Sequence, residues 1–231
     1  MRNLFIVSLF IKIKVTYNPA EYWRERGKIY KKNFRYDKNK RVQEEFLIAH
    51  LNNISGSFKS VVELGCGFGR ITQLLLSNYP NITEYLAVDI SPDQIENAKS
   101  LLSSTKLPNN QVKLDYLVSD IQSLRLDKEY DLVILSEVLL HILPTDIDSI
   151  IKKLITLSKK HIINIDWYED HPPKSQASHN FIHQYETLYK KYTQPSTTTI
   201  KRIPIRRKKF IGTLDTKQSI FHVILEKNPN E

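Results

Sequence analysis

Short apolar runs alternate with amphipathic segments along most of this chain of 231 residues. Runs rich in β-branched and aliphatic residues predict buried strands, and apolar residues spaced three and four positions apart predict helices. The alternation of the two predicts a parallel sheet with helices packed on it. We expect strands at 60–64, 85–89, 112–118, 130–136 and 161–166, and helices at 70–77, 92–103, 145–159 and 175–192.

The two ends of the chain add elements to this pattern. Residues 20–36 and 38–53 predict two helices before the first strand, and the segments 199–206 and 219–226 predict two closing strands. Pro204 lies in the first of these strands, which favours a position at the edge of the sheet because proline cannot donate a backbone hydrogen bond. A helix beginning at Pro92 is further indicated by Ser91 and Gln94, which match a capping box.

Three of the six glycines fall at positions 65, 67 and 69, directly after the first strand pattern, in the run VVELGCGFGR at 61–70. Residues without a Cβ atom permit a tight turn and a close approach of the backbone to a ligand. A dinucleotide site favours G-x-G-x-x-G, whose third glycine would stand at position 70, where this chain has arginine. The turn therefore predicts a nucleotide-type cofactor with a different binding pattern.

Polar side chains follow the next three strand patterns. Asp89 ends the second, Ser119 and Asp120 follow the third, and Ser136 and Glu137 end the fourth. Because the carboxyl ends of parallel strands meet at one edge of a sheet, we expect these groups to share a ligand site.

The motifs VVELGCGFG, YLAVDIS, VSDI and YDLVILSEVLLHI, in this order, resemble the class I S-adenosylmethionine-dependent methyltransferases over roughly residues 40–227. The resemblance implies an α/β, three-layer Rossmann-like fold with a seven-stranded, mostly parallel sheet whose last strand is antiparallel. It also implies S-adenosyl-L-methionine as cofactor, with its methionine end at the glycine turn, its ribose on Asp89 and its adenine near Asp120. The implied cofactor-binding residues are Glu63, Gly65, Cys66, Gly67, Gly69, Asp89, Ile90, Asp120, Ile121, Ser136 and Glu137.

A nicotinamide-dependent reductase is the alternative to this interpretation. An enzyme of the short-chain type needs a Tyr-x-x-x-Lys pair after the fourth strand, and the only such spacing, Tyr36 to Lys40, precedes the first strand. We divide the chain into an N-terminal extension or lid at 1–38 and a methyltransferase domain at 39–231.

The loops after the fourth and fifth strands face the transferable methyl group in this fold class. Glu137 and His141 are the catalytic candidates, although the histidine of a V-L-x-H segment is as often structural as catalytic in such enzymes. Asp166 lies at the end of the fifth strand and belongs to the same set of loops. The substrate candidates are Trp23, Trp167, Tyr168, His183 and Tyr185.

A metal site is the less favoured reading of the histidines. His179 and His183 are four positions apart on a predicted helix and would share one face. Small-RNA 3′-terminal ribose methyltransferases hold a divalent metal with a Glu-x-x-Glu-His set, but Leu140 stands here in place of the second glutamate. We therefore predict no metal.

The formal net charge of +9 is concentrated at the two flanks of the predicted site. Residues 1–50 hold 12 basic and 5 acidic side chains, and the segment KRIPIRRKK at 201–209 holds six basic ones without an acid. We expect methyl transfer to an oxygen or nitrogen of a small molecule or glycan. The alternative is an RNA methyltransferase, such as a ribose 2′-O enzyme, that uses the basic flanks at 24–41 and 201–209.

The single cysteine, Cys66, excludes a disulfide framework and predicts a reducing, cytoplasmic setting. The apolar run Leu4 to Ile11 is shorter than the about 20 residues of a membrane span. We predict no membrane span and leave the oligomeric state open.

Overall fold

A computed structural model describes residues 17–169, 179–208, 214–215 and 217–226, with the backbone alone for 207, 208, 214 and 215. The predictions for the apolar run at 4–11, for 170–178 and for the end of the basic segment at 209 lie outside the described residues. Within the described part, none of the helices combines the length and the hydrophobicity that a membrane crossing requires.

Seven strands form one twisted sheet with the order β3-β2-β1-β4-β5-β9-β6. The strand β9 is antiparallel to both of its neighbours, and the other neighbouring pairs are parallel. The predicted seven-stranded Rossmann-like fold is therefore confirmed, with β6 and its Pro204 at the edge. The strands are β1 (Ser60–Leu64), β2 (Glu84–Asp89), β3 (Lys113–Val118), β4 (Tyr130–Ser136), β5 (Ser158–Trp167), β6 (Thr198–Pro204) and β9 (Gln218–Leu225), with β7 (Arg207–Lys208) and β8 (Leu214–Asp215) as a separate pair.

Helices cover both faces of this sheet and make two separate hydrophobic cores. One core joins the sheet to helices near the N-terminus and after β1 and β2, and the other joins it to the helices after β4 and β5. The helices are α1 (Pro19–Asn33), α2 (Lys38–Asn52), α3 (Arg70–Asn78), α4 (Pro92–Ser103), α5 (Ile147–Leu157) and α6 (Tyr185–Tyr192), with short 3₁₀ turns at Ser55–Ser57, Leu139–His141 and Pro195–Thr197.

The helix α4 begins at Pro92 as predicted, but only one of the two hydrogen bonds of a capping box forms. The Ser91 Oγ atom accepts from the N–H of Gln94 at 3.4 Å, whereas the Gln94 amide donates to the carbonyl of Gly27 in α1. The N–H of Ser91 is instead bound by Asp89 Oδ1 at 2.9 Å. Gln94 is thereby used to dock α1 on α4 rather than to cap its own helix.

Two predicted helices are shorter than expected. The helix α5 ends at Leu157, because residues 158–160 already belong to β5. The helix predicted at 175–192 is wrong for 179–184, and only Tyr185–Tyr192 is helical within the described residues. Residues 179–184 pair instead with the loop after β4, where the N–H of Phe181 donates to the carbonyl of Leu140 at 2.7 Å.

Candidate active site

A cavity of about 820 Å³ lies at the carboxyl ends of β1 to β5, and α1 covers it. Its volume falls within the range of about 300 to 1,000 Å³ typical of small-ligand sites. The position is the point where the strand order reverses between β1 and β4, where sheets of this kind bind ligands. Residues of all four predicted motifs line this one cavity.

The three clustered glycines all have left-handed backbone, with φ of 75° at Gly65, 55° at Gly67 and 87° at Gly69. A Cβ atom at Gly65 would lie 2.5 Å from a methyl group of Val138, and one at Gly69 would crowd Ala98 and Leu102 at 3.0 to 3.2 Å. At Gly67 the nearest atom would be Gln94 Oε1 at 3.9 Å. Only Gly67 therefore leaves open space for a ligand, and the other two are required by packing within the protein.

Asp89 ends β2 and turns its carboxylate toward the glycine turn. Its Oδ2 atom accepts from the N–H of Gly67 at 2.8 Å, and Oδ1 accepts from the N–H of Ser91 at 2.9 Å. Burial raises the pKa of Asp89 and these backbone hydrogen bonds oppose it. Each oxygen keeps a lone pair for a further donor, and the residue lines the cavity.

The predicted adenine residues Asp120 and Ile121 also line the cavity. Asp120 forms a turn in which its Oδ1 atom accepts from the N–H of Gln122 at 3.1 Å, and the side chain of Ile121 is buried beside it. Ser136 ends β4, and its Oγ atom is buried without a hydrogen-bond partner among the described residues. Ile90 and Cys66 also line the cavity. Burial raises the pKa of the Cys66 thiol well above its usual value, which disfavours the thiolate.

Glu63 contributes mainly to the internal packing around the site. Its Oε2 atom accepts from Thr72 Oγ1 at 2.6 Å and from the Tyr85 hydroxyl at 2.7 Å. Burial raises the pKa of Glu63 to about 7 despite these two donors. The carboxyl therefore ties β1 to α3 and β2 at the base of the cavity.

Glu137 has the one positive φ, 59°, among the described residues other than glycine. Such strain is concentrated at functional sites. Its carboxylate pairs with Lys40 of α2 and accepts from Gln218 Nε2 of β9 at 2.8 Å. Burial would raise the pKa of Glu137, but Lys40, Arg70 and Gln218 together lower it.

His141 closes the 3₁₀ turn after β4 and lies beneath α1. Its Nδ1 atom is 2.9 Å from the carbonyl oxygen of His179, and its ring centroid is 4.4 Å from that of Trp23. The Tyr17 hydroxyl donates to the His141 carbonyl and accepts from Trp23 Nε1, both at 3.2 Å. Burial lowers the pKa of His141 to about 4, so the imidazole is neutral and its Nδ1–H donates to His179.

The predicted substrate residues divide into two groups. Trp23 and Trp167 line the cavity, and Trp167 is 41% exposed at its rim. Tyr168 packs on Phe221 and under the Arg202 guanidinium, outside the cavity. His183 and Tyr185 also lie elsewhere. The His183 ring contacts the carbonyl of Ile142 at 3.0 Å, and Tyr185 is fully buried in the core, so neither lines the cavity.

The shared helical face predicted for His179 and His183 is wrong, because neither residue lies in a helix. Glu137 is engaged with Lys40 and Gln218, and His141 with the His179 carbonyl. No group of three or more His, Cys, Asp or Glu side chains within the described ranges is arranged to hold a metal ion.

Several lining residues carry no recognisable sequence signal. The buried Oε1 atom of Gln94 faces Gly67 and has no hydrogen-bond partner among the described residues. The sequence indicated Gln94 only as part of a capping box and did not predict its place in the cavity. Arg70 follows the glycine turn and binds Glu44 and Gln43 of α2 at 2.7 Å. The remaining lining residues that the sequence did not indicate include Tyr17, Phe34, Phe68 and Asn180.

Comparison with known proteins agrees with this geometry. Residues 61–161 match the family model described as a methyltransferase domain. A malonyl-[acyl-carrier protein] O-methyltransferase of Anoxybacillus flavithermus is 35% identical over 99 residues, which are 43% of this chain and 35% of that protein. A ubiquinone biosynthesis O-methyltransferase of Rickettsia felis is 38% identical over 98 residues, which are 42% of this chain and 36% of that protein. The matches thus span about a third of the length of these curated relatives.

Solved structures share the fold at low sequence identity. The magnesium protoporphyrin IX methyltransferase of Synechocystis PCC 6803 with bound SAM superposes with a TM-score of 0.66 at 15% identity, over 91% of this chain and 99% of that one. The N-methyltransferase NodS of Bradyrhizobium japonicum with bound S-adenosyl-L-homocysteine gives 0.64 at 14% identity, over 91% of this chain and 100% of that one. These findings identify residues 61–161 as a methyltransferase domain, and the strand order and the glycine turn give the chain the fold of the class I S-adenosylmethionine-dependent methyltransferases.

Proposed function

We propose that this protein transfers a methyl group from S-adenosylmethionine to an oxygen or nitrogen atom of a small-molecule or glycan acceptor. The observation that carries the proposal is the continuity of the cavity. The same cavity is lined by Gly67 and Asp89 and also by Trp23, His141 and Trp167. A cofactor and an acceptor can therefore meet within it.

The residues of the cofactor side fit the group that the family binds. The open space at Gly67 accommodates the methionine end, and the buried Oγ of Ser136 and Oε1 of Gln94 provide polar atoms that are otherwise unpartnered. The Asp89 carboxylate would accept hydrogen bonds from the ribose hydroxyls, and Asp120 would face the adenine. When bound, the cofactor supplies an electrophilic methyl group on a sulfonium. The protein contributes by holding the acceptor in line and by excluding water under α1.

We assign His141 as the base that accepts the proton from the methyl acceptor. Because its Nδ1–H donates to the His179 carbonyl, the Nε2 atom carries the lone pair and can accept a proton from an O–H or N–H. The depressed pKa keeps this nitrogen unprotonated at neutral pH. Two contacts fix the orientation of the ring, namely the hydrogen bond to the His179 carbonyl and the tilted ring contact with Trp23.

The charges around the cavity favour an acceptor without phosphate or carboxylate groups. Among the described lining residues Arg70 is the only lysine or arginine, and Glu44 and Gln43 already bind it. Glu21 and Asp146 add negative charge to the lining. The names of the curated relatives specify O-methyl transfer, which favours oxygen as the accepting atom.

The RNA alternative remains a prediction, and the structure of α1 gives it little support. The aromatic residues Trp23, Tyr30 and Phe34 line the cavity, whereas Arg24 and Arg26 are exposed on the outer face. A basic outer face does not by itself place a phosphate backbone near His141.

A labelled-methyl assay tests the proposal directly. The protein is incubated with S-adenosylmethionine labelled at the methyl group and a cell extract divided into small-molecule, RNA and protein fractions. We expect label in the small-molecule fraction and its loss in Asp89→Ala. Label in RNA, with an affinity that falls with salt at a slope of about −0.7 per phosphate, would establish the alternative instead. Absence of label from every fraction would contradict both.

A further inference from the structure

Asp166 is a fully buried carboxyl group directly below the turn that carries His141. Its Oδ2 atom accepts from the N–H of Leu140 at 3.3 Å, and Oδ1 accepts from the N–H of Trp167 at 3.2 Å. The N–H of Leu139 also points at this carboxyl. The first N–H groups of a helical turn have no partner within the turn. Asp166 supplies that partner for the 3₁₀ turn Leu139–His141.

Two further segments hold the same turn from other directions. The N–H of Phe181 donates to the Leu140 carbonyl at 2.7 Å, and the Tyr17 hydroxyl donates to the His141 carbonyl at 3.2 Å. Asp166 differs from these two because it lies in β5, a strand paired on both sides in the sheet, and is not part of the cavity lining.

Asp166 and Glu137 form a pair of carboxyl groups in contrasting environments. Burial raises the pKa of Asp166 well above its usual value, and the nearby Glu137 carboxylate raises it further. Glu137 is kept ionised by Lys40 and Gln218. The hydroxyl groups of Tyr185 and Tyr189, also fully buried, surround Asp166 from α6 and carry no charge. Asp166 is therefore a hydrogen-bonding carboxyl group in a dry environment, and its pKa is raised by burial and by Glu137.

We propose that Asp166 is a positioning residue for methyl transfer, which fixes the Leu139–His141 turn and thereby directs the Nε2 atom of His141 toward the acceptor. The proposal rests on the proposed function, because it assigns His141 to the acceptor proton. Asp166 does not line the cavity and so would contact neither cofactor nor acceptor. It acts through the backbone of the turn, and displacement of a reacting group by about 1 Å can cost about a hundredfold in rate.

A double-mutant cycle tests this coupling. Asp166→Ala should lower kcat about tenfold to a hundredfold, while the Kd for S-adenosylhomocysteine stays within about twofold. In the His141→Ala background the same substitution should cost less than about twofold more, because two residues that act through one interaction are not additive. Asp166→Asn keeps a neutral carbonyl acceptor and should retain more activity than Asp166→Ala.

Asp131→Ala is the matched control for loss of stability. Its carboxylate likewise accepts two backbone N–H groups, those of Lys59 and Ser60 at 2.9 Å, but at the opposite end of the sheet. This variant should lose stability with kcat unchanged. Equal losses of kcat in the two alanine variants, or full additivity with His141→Ala, would overturn the proposal.

A second readout does not depend on turnover. Nitrogen-15 NMR of the histidine side chains should report the Nδ1–H tautomer for His141 in the wild type, and this signal should shift or broaden in Asp166→Ala while Asp131→Ala preserves it. An unchanged His141 signal in Asp166→Ala would overturn the positioning of the turn even if no acceptor is found. Absence of methyl transfer together with the expected NMR shift would contradict only the proposed function.

Discussion

The Nδ1 atom of His161 lies 3.0 Å from the Nε2 atom of His222, and this contact joins two buried strands at the end of the sheet away from the cavity. The Nδ1 atom of His222 is in turn 2.9 Å from His50 Nε2 on α2, and His161 Nε2 is 2.7 Å from Ser57 Oγ. Three imidazoles and a hydroxyl thus form one hydrogen-bonded chain across β9, β5, α2 and the turn before β1.

The direction of this chain follows from its last link. Ser57 Oγ donates to the carbonyl of Ile54 at 2.6 Å, so it must accept from His161 Nε2. The Nδ1 atom of His161 is then an acceptor, and His222 donates to it from Nε2. By the same reasoning His50 donates from Nε2 to His222. The two buried rings, His161 and His222, therefore have no free nitrogen on which to accept a proton without breaking a link.

This chain predicts a pH-dependent contribution to stability. Burial lowers the pKa of His161 to about 4 and that of His222 to about 3, and the cations of Lys160 and Lys201 act in the same direction. The unfolded chain binds protons on these side chains below about pH 6.5 and the folded protein does not, so their contribution is complete above that pH and falls as the solution is acidified. Between pH 8 and pH 5 the contribution of each buried ring to the free energy of unfolding should fall by about 2 kcal/mol.

The measurement is the difference in unfolding free energy between wild type and His222→Leu, determined in urea at several pH values. At pH 8 the variant should be less stable by about 2 to 4 kcal/mol, because one donor and one acceptor lose their partners. The gap should narrow by about 2 kcal/mol at pH 5. The wild type must be compared with a variant, because other groups also change its stability with pH. The raised pKa values of Glu63 and Asp166 increase the free energy of unfolding as the pH falls, which is opposite to the effect of the histidines. Val223→Ala, also buried in β9, should show a gap independent of pH.

Local patterns were sufficient to predict the elements that surround the cofactor. The strands β1, β2 and β4 are nearly continuous buried runs, as expected of a parallel sheet covered on both faces. Ser91 and Pro92 marked the beginning of α4 because capping is a property of adjacent residues. The glycine turn was placed correctly, although two of its three glycines are required by Val138, Ala98 and Leu102 rather than by a ligand.

The residues on the acceptor side of the cavity are positioned by contacts between distant segments of the chain. They could not be predicted from the spacing of residues in the sequence. Helical periodicity at 179–184 is overridden by the Phe181 to Leu140 hydrogen bond, which joins residues 41 positions apart in the same way as the contact of His183 with Ile142. Tyr185 was predicted to contact the substrate, but it packs against Phe221 in the core. Tertiary packing therefore decides which aromatic residues reach the cavity.

Cofactor affinity should depend on the Asp89 carboxylate. Hydrogen bonds to a charged partner contribute about 1.5 to 3 kcal/mol, so Asp89→Ala should weaken binding of S-adenosylhomocysteine by about tenfold to a hundredfold. Isothermal titration calorimetry measures this loss. Asp131→Ala, whose carboxylate is distant from the cavity, should bind normally. An unchanged affinity in Asp89→Ala would remove the ribose assignment.

Closure of the cavity should depend on Gly27, which is the buried residue of α1. A Cβ atom there would lie 2.5 Å from the Cβ atom of Ser91, so Gly27→Ala should push α1 away from α4 and weaken cofactor binding at least several-fold. Gly56→Ala is the matched control, since nothing lies within 4 Å of its added Cβ atom. The exchange of amide hydrogens in α1 should accelerate in Gly27→Ala alone.

A compensating substitution separates crowding from a loss of helix stability. Ser91→Gly removes the atoms that Gly27→Ala would meet, and glycine is tolerated at the N-cap of a helix. The double variant should therefore recover most of the affinity. Failure to recover, with Gly27→Ala still impaired, would show that the close approach of α1 and α4 is not the cause.

The pH dependence of kcat tests whether His141 is the base that accepts the proton from the methyl acceptor. Burial holds the pKa of His141 near 4, so its Nε2 atom stays available as a base well below the usual histidine range. We expect kcat to show no decline from this group between pH 8 and pH 5.5, whereas a base with an ordinary pKa of about 6.5 would lose close to tenfold per unit at the acid end.

Replacing the imidazole should remove the base without removing the cofactor site. His141→Asn should lower kcat by about a hundredfold and leave the Kd for S-adenosylhomocysteine unchanged, because the ring lies on the acceptor side of the cavity. His183→Asn provides the control, since His183 is also buried and bonded to a backbone carbonyl but does not line the cavity. If kcat of the wild type fell with an apparent pKa near 6.5, or if the two variants were equally impaired, a different group would have to accept the proton.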